Sequence, residues 1–192
     1  MNSGQIMFIL GAFAMLSMLA LNVNRTMIGS LVLGLEMEST LNALSIGQSM
    51  LDEVMQKNFD EKTLDEVAYA YSDITASGNL GPESGESITG FDSAYTSGGT
   101  FHDFQSKLTF NDVDDYKGYT RKVWDSRLGY FEVTDSVKYV SETSPNTISS
   151  TATFYKMVVV VVRHPNLPKA TDTSSTSLPI ILRDISIYRQ YF

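Results

Sequence analysis

From residue 6 to residue 21 the chain is apolar and carries no charge. The polar patch Asn22, Asn24 and Arg25 follows, and residues 27–35 are apolar again. Beyond that point the pattern changes. Leu35, Leu41, Leu44, Ile46, Met50, Leu51, Val54 and Met55 recur at three- and four-residue steps, with Glu36, Glu38, Asp52, Glu53 and Lys57 largely between them. This is the period of an amphipathic helix. The first proline is Pro82, so nothing before it forces a break. The spacing predicts one helix over residues 5–58, about 80 Å long at 1.5 Å per residue. A membrane crossing takes only about twenty residues. The first half, residues 5–35, therefore needs lipid or other apolar helices around it. The second half, residues 36–58, needs a covering sheet.

Residues 59–75 read either as a continuation of this helix or as a short second one, for which Thr63 and Glu66 match a capping box. Residues 77–100 hold six glycines and little apolar matter, and predict a loop crossing from helix to sheet. So long a loop in a small domain is a candidate for subunit contact. From residue 102 the period is two. Phe104, Ser106, Leu108 and Phe110 share one face of a first strand, and residues 119–124 form a second after the acidic turn 111–115. In a third, 130–140, Phe131, Val133, Val137 and Tyr139 point one way. A fourth, 151–163, contains the unbroken run Val158 to Val162, which implies burial on both faces and a central position. The last, 180–191, alternates through Ile185, Ile187, Arg189 and Tyr191. Loops separate these strands around Pro145 and through residues 171–177.

The expected fold is α+β: a long N-terminal helix packed on a small antiparallel sheet built as a meander. Residues 1–58 form the helix. Residues 59–192 form a head, made of an acidic Gly/Ser-rich connection (59–103) and the sheet (104–192). At 192 residues the chain has room for one globular domain besides the helix, and no internal repeat is visible.

Charge narrows the function. The net charge of −8 gives nucleic-acid binding no general electrostatic support, and the excess acid lies mostly between Asp52 and Asp92 as a solvated surface. The absence of cysteine excludes disulfides and thiolate metal sites. Of the two histidines, His102 and His164, neither has metal-ligand spacing, and His164 before Pro165 reads as a solvated turn residue. No nucleophile elbow or phosphate-binding loop occurs. The chain is expected not to be an enzyme and to need no cofactor. One ion site is conceivable: Asn111, Asp112, Asp114 and Asp115 place four short oxygen-bearing side chains in five residues, a set able to hold Ca²⁺. The same residues read equally as an acidic turn whose side chains bond their own backbone.

In the helix, Asn24-Arg25-Thr26 is formally a glycosylation sequon, but within an apolar helix it reads as chance. Arg25 either snorkels at a lipid boundary or meets Glu36 or Glu38 of a neighbouring helix. Gly11, Gly29, Gly34 and Gly47 offer close helix–helix approach. No base precedes the apolar run, so the N-terminus does not look like a signal anchor. Either a basic leader has been removed upstream or the chain is cut after Gly4.

A helix apolar in its first half and amphipathic in its second, then an acidic loop and a small antiparallel sheet, resembles a type IV pilin or pilin-like protein (pseudopilin). The resemblance is strongest in residues 5–58, with weaker echoes in residues 114–119 and 154–160. It implies that the first half of the helix anchors the subunit in the inner membrane and then packs in the core of an extracellular filament on the cell surface, with the sheet outside. Gln5, Ile6, Phe8, Ile9, Leu10, Phe13, Leu16, Leu19, Leu21, Arg25, Ile28 and Leu31 would form that assembly core. The chain departs from the family pattern at its start. Gln5 stands where the family carries a glutamate and cannot neutralise a neighbour's terminal amine. Asn22 stands near the family's helix-breaking proline. The paired C-terminal cysteines are missing, leaving the last strand to be held by pairing and by Tyr188, Tyr191 and Phe192. These departures point to a divergent branch.

Elementary physics favours assembly as well. Burying roughly 1,500 Å² of apolar helix at about 25 cal/mol per Å² is worth tens of kcal/mol before entropy is subtracted. A bilayer supplies that burial, and so does a bundle of identical helices. Staggered head-to-tail, such copies make a heterologous contact that grows into a helical homo-oligomer.

Overall fold

The computed structural model describes residues 2–94, 103–170 and 176–189. His102, Gly98, Gly99, Tyr191 and Phe192 lie outside them. One uninterrupted α-helix, α1, runs from Ser3 to Met55 and ends three residues before its expected limit. The chain divides into two compact units, Met1–Glu38 and Ser39–Phe192. In the first, the chain from Ser3 on is helix. In the second, the remainder of α1 lies on a five-stranded sheet of order β1-β2-β3-β4-β5. The strands are β1 (Asp92–Ser93), β2 (Thr120–Asp125), β3 (Gly129–Tyr139), β4 (Tyr155–Arg163) and β5 (Ile180–Ile187). β2 to β5 form the antiparallel meander, whereas the two-residue β1 joins β2 in parallel.

The core lies between the helix and one sheet face. Val158, Val160 and Val162 on β4 and Phe131, Val133 and Val137 on β3 meet Ala43, Met50, Leu51 and Val54 of α1. The helix face that packs is not the leucine face. Leu35, Leu41 and Leu44 are exposed, and Ser39, Ala43 and Gly47 are buried in their place. Small side chains four residues apart let the helix sit close to the strands. A Cβ on Gly47 would stand 2.6 Å from Leu182 Cδ1 and 3.2 Å from Val162 Cγ2. Gly47 thus serves a helix–sheet approach, not a helix–helix one. The valine run also corrects the expectation of burial on both faces. Val159 and Val161 are only half-buried, because among the described residues no second layer covers the outer face of β4. The strand is nevertheless interior, paired on both sides.

Two predicted elements are replaced. Residues 105–109 form a short helix, α2 (Gln105–Thr109), not a strand. Leu108 points to solvent while Ser106 turns inward, where its Oγ donates to Glu53 and accepts from Tyr119 and Arg121. Residues 59–75 form neither a continuation of α1 nor a second α-helix. A single 3-10 turn, Glu61–Thr63, is capped by Asp60, whose Oδ1 accepts from Lys62 N, so Thr63 is the last residue of a turn and not an N-cap. Two further 3-10 turns, Tyr71–Asp73 and Ser77–Asn79, carry the chain across. The described part of the 77–100 connection contains β1 and the buried Leu80, Asp92 and Ala94, so it is partly built into the head.

Candidate functional site

The first unit presents apolar side chains on every side. Ile6, Phe8, Ile9, Leu10, Phe13, Leu16, Leu19, Leu21, Ile28 and Leu31 are all exposed, Phe8 by 80%. Arg25 is exposed among them. The helix is long and apolar enough, by length and composition, to cross a membrane. Some of its polar side chains bond locally. Ser17 Oγ donates to Phe13 O and Thr26 Oγ1 to Asn22 O, each at 2.9 Å, which spares both hydroxyls a partner in an apolar medium. Gln5 bends back so that its Oε1 accepts from Asn2 N at 3.3 Å, the half of a capping box that an N3 residue supplies. Gly11, Gly29 and Gly34 have open space where a Cβ would stand. In the second unit Leu41 and Leu44, which the periodicity assigned to the sheet side, belong to the exposed apolar set. Ser39, Ala43 and Gly47 at four-residue steps were the signal that the small face turns inward.

The residues proposed for calcium are divided between two tasks. Asp114 Oδ1 pairs with Lys156 Nζ, and Asp114 Oδ2 accepts from Gly81 N at 3.2 Å. Asp112 accepts from the amides of Asp114 and Asp115 through Oδ1 and of Glu61 through Oδ2. These two carboxylates are therefore committed inside the protein. Asp115 Oδ2 accepts from Asn111 N and Asp112 N, while its Oδ1 and Asn111 Oδ1 have no partner. Glu83 and Glu86 stand beside Asp115. Burial, and then the neighbouring carboxylates Glu86, Asp115 and Asp114, push Glu83 up to about 7. Burial likewise raises Asp115 to about 6, against the pull of its two backbone donors.

Two buried ionic networks went unforeseen. Lys156 is fully buried on the inner face of β4, where it donates to Asp60, Asp114 and Phe59 O. Asp60 in turn accepts from Thr75 N, and Tyr139 Oη donates to Thr75 O at 2.7 Å, fixing the 59–81 connection to the sheet. Across the sheet Arg121 Nη2 meets Glu53 Oε1 at 2.7 Å, joined by Ser106 and Tyr116 hydroxyls. Next to this pair lies Asp135, 1% exposed, with neither carboxylate oxygen bonded. Its pKa is held well above 3.8 by burial, with Arg121 pulling the other way.

His164 is not a solvated turn residue. It is 4% exposed and stacks on Phe131 with ring centroids 4.2 Å apart. Its Nδ1 accepts from Asn166 N and its Nε2 lies 2.9 Å from Leu128 O, a pairing that calls for the neutral Nε2–H tautomer. A hollow along α1 is lined by Ser45, Gln48, Ser49, Asp52, Glu53, Gln56, Lys57 and Lys107. Compared with known proteins, the chain matches no family model, no curated protein and no solved structure.

Proposed function

We propose that this protein is a non-catalytic structural subunit that polymerises through its N-terminal helix into an extracellular filament of the type IV pilus kind. The observation that carries this reading is the exposed apolar surface of residues 3–35 on the uninterrupted helix α1. Such a surface has no stable place in water. A bilayer holds the subunit before assembly, and equivalent helices of other copies replace lipid afterwards. In that packing Arg25 is the one charge within the apolar half, positioned to meet acid on a neighbouring helix or to reach the lipid boundary. Gln5, already bonded to Asn2, acts as a local helix cap and not as a charge partner.

Membrane-extracted protein stripped of detergent tests the proposal by negative-stain microscopy. Filaments are expected from the full chain, and a soluble monomer from a chain lacking the first 24 residues. Filaments from the shortened chain would overturn the reading. A second reading follows from the span-length helix: a single-pass anchor carrying a binding module, with no self-assembly. It predicts that the full chain remains monomeric when detergent gives way to lipid.

A further inference from the structure

Two loops distant in sequence meet beside the turn at 111–115. Lys117 Nζ donates to Leu80 O at 2.8 Å, and Gly81 N donates to Asp114 Oδ2. These bonds hold the 80–86 connection against the turn, and one carboxylate oxygen from each of Glu83, Glu86 and Asp115 then lies within 4.8 Å of the other two. Local bonds fix the ligands without using them up. Asn111 Nδ2 donates to Glu86 Oε1 at 2.8 Å, Glu83 N donates to Glu86 Oε2 at 3.3 Å, and Asp115 spends only Oδ2 on backbone amides. Three acceptors have no donor: Glu83 Oε2, Asp115 Oδ1 and Asn111 Oδ1.

Asp115 is fully buried, so its orphaned oxygen has no bulk water to turn to. Leaving such an acceptor unsatisfied is unfavourable, and crowding two more carboxylates around it compounds the cost. Among the described residues no lysine or arginine pairs with any of the three acids; Lys156 is taken by Asp60 and Asp114, and Arg121 by Glu53. Converging oxygens, a surplus of negative charge and no protein counter-ion define the chemistry of a hard cation.

We propose that Glu83, Glu86 and Asp115, completed by the Asn111 side-chain carbonyl, form a calcium site that ties the 80–86 connection to the turn preceding β2. Oxygens up to 4.8 Å apart fit on opposite sides of one ion at about 2.4 Å, the calcium distance. Mg²⁺ demands about 2.1 Å, near-octahedral order and retained water, whereas calcium accepts an irregular set of carboxylate and carbonyl oxygens such as this one. Four protein oxygens leave places for water in a shell of six to eight, roughly the number calcium takes. Of the acids in the turn, Asp112 and Asp114 stay outside the site: neither converges with the other three, Asp112 being held by three backbone amides and Asp114 by Lys156 and Gly81 N. The site lies wholly in the second unit and is independent of filament formation.

Thermal unfolding of the full-length protein in detergent tests it, after treatment with chelator and then in calcium chloride, magnesium chloride, or sodium chloride at matched ionic strength. Calcium at a hundred times its dissociation constant should raise the midpoint by roughly 5–10 °C, with far smaller shifts in the other two salts. Glu83→Gln, which keeps the backbone bond to Glu86, should raise the calcium-free midpoint by relieving repulsion and at the same time lose most of the calcium shift. Glu86→Gln should lose the shift as well. Equal midpoints in calcium and chelator, an equal response to magnesium or sodium, or a full calcium shift in Glu83→Gln would each overturn the site.

Discussion

Lys156 occupies a place that strand alternation gives to an apolar side chain, for it shares the inner face of β4 with Val158, Val160 and Val162. A fully buried ammonium is tolerable only because Asp60, Asp114 and a carbonyl surround it. Lys156→Met would leave two buried carboxylates facing each other, and a loss of about 3–5 kcal/mol in denaturant unfolding is expected. Asp135 is the opposite case, an acid with no bonded partner. Its folded pKa stands well above 3.8, so the folded chain keeps a proton that the unfolded chain releases. Stability therefore falls as pH climbs past 3.8, and the penalty is absent below it. Asp135→Asn removes this term. A gain of about 1–3 kcal/mol is expected at pH 7 and almost none near pH 4, read from denaturation midpoints at the two values. The sequence held a trace of both residues, because each interrupts an apolar alternation at the inward parity. Parity alone says nothing about partners, and Asp60 is 96 residues from Lys156.

At the level of elements, the helix and the four main strands were legible because each repeats its period over many residues. The short pieces were not. Residues 104–110 alternate like a strand, yet hydrogen bonding of Ser106 to Asp92 and Glu53 outweighs burial of Leu108, which ends 85% exposed. β1 is two residues long and carries no periodic signal at all. The inward face of α1 was misread for a related reason: the leucines dominate the pattern, but the sheet is approached through Ser39, Ala43 and Gly47. Gly47→Leu tests that contact. With Leu182 and Val162 already against the glycine, overpacking should destabilise the head by about 1–3 kcal/mol or more, measured by thermal or chemical unfolding.

For the whole molecule, the two periods, 3.6 residues and then two, were enough to anticipate a helix-plus-sheet architecture, and the five-stranded order with its antiparallel β2 to β5 agrees. The candidate calcium site was half legible. Asn111 and Asp115 stood out by composition, whereas Glu83 and Glu86 join them only through the folding of the 80–86 connection. The division into two units also gives a test of assembly that leaves the head alone. Leu16 lies in the first unit and is exposed. Leu16→Asp should leave the melting of the head within about 0.5 kcal/mol of the parent, as for surface changes generally, while abolishing filaments in the microscope.

The unbroken course of α1 carries one further consequence, a mechanical one. Its backbone ladder has no proline and no break between Ser3 and Met55. Within the second unit, a pull along the helix therefore bears directly on the contacts that Met50, Leu51 and Val54 make with β3 and β4. There the load falls on side chains packed against strands and not on a backbone hinge.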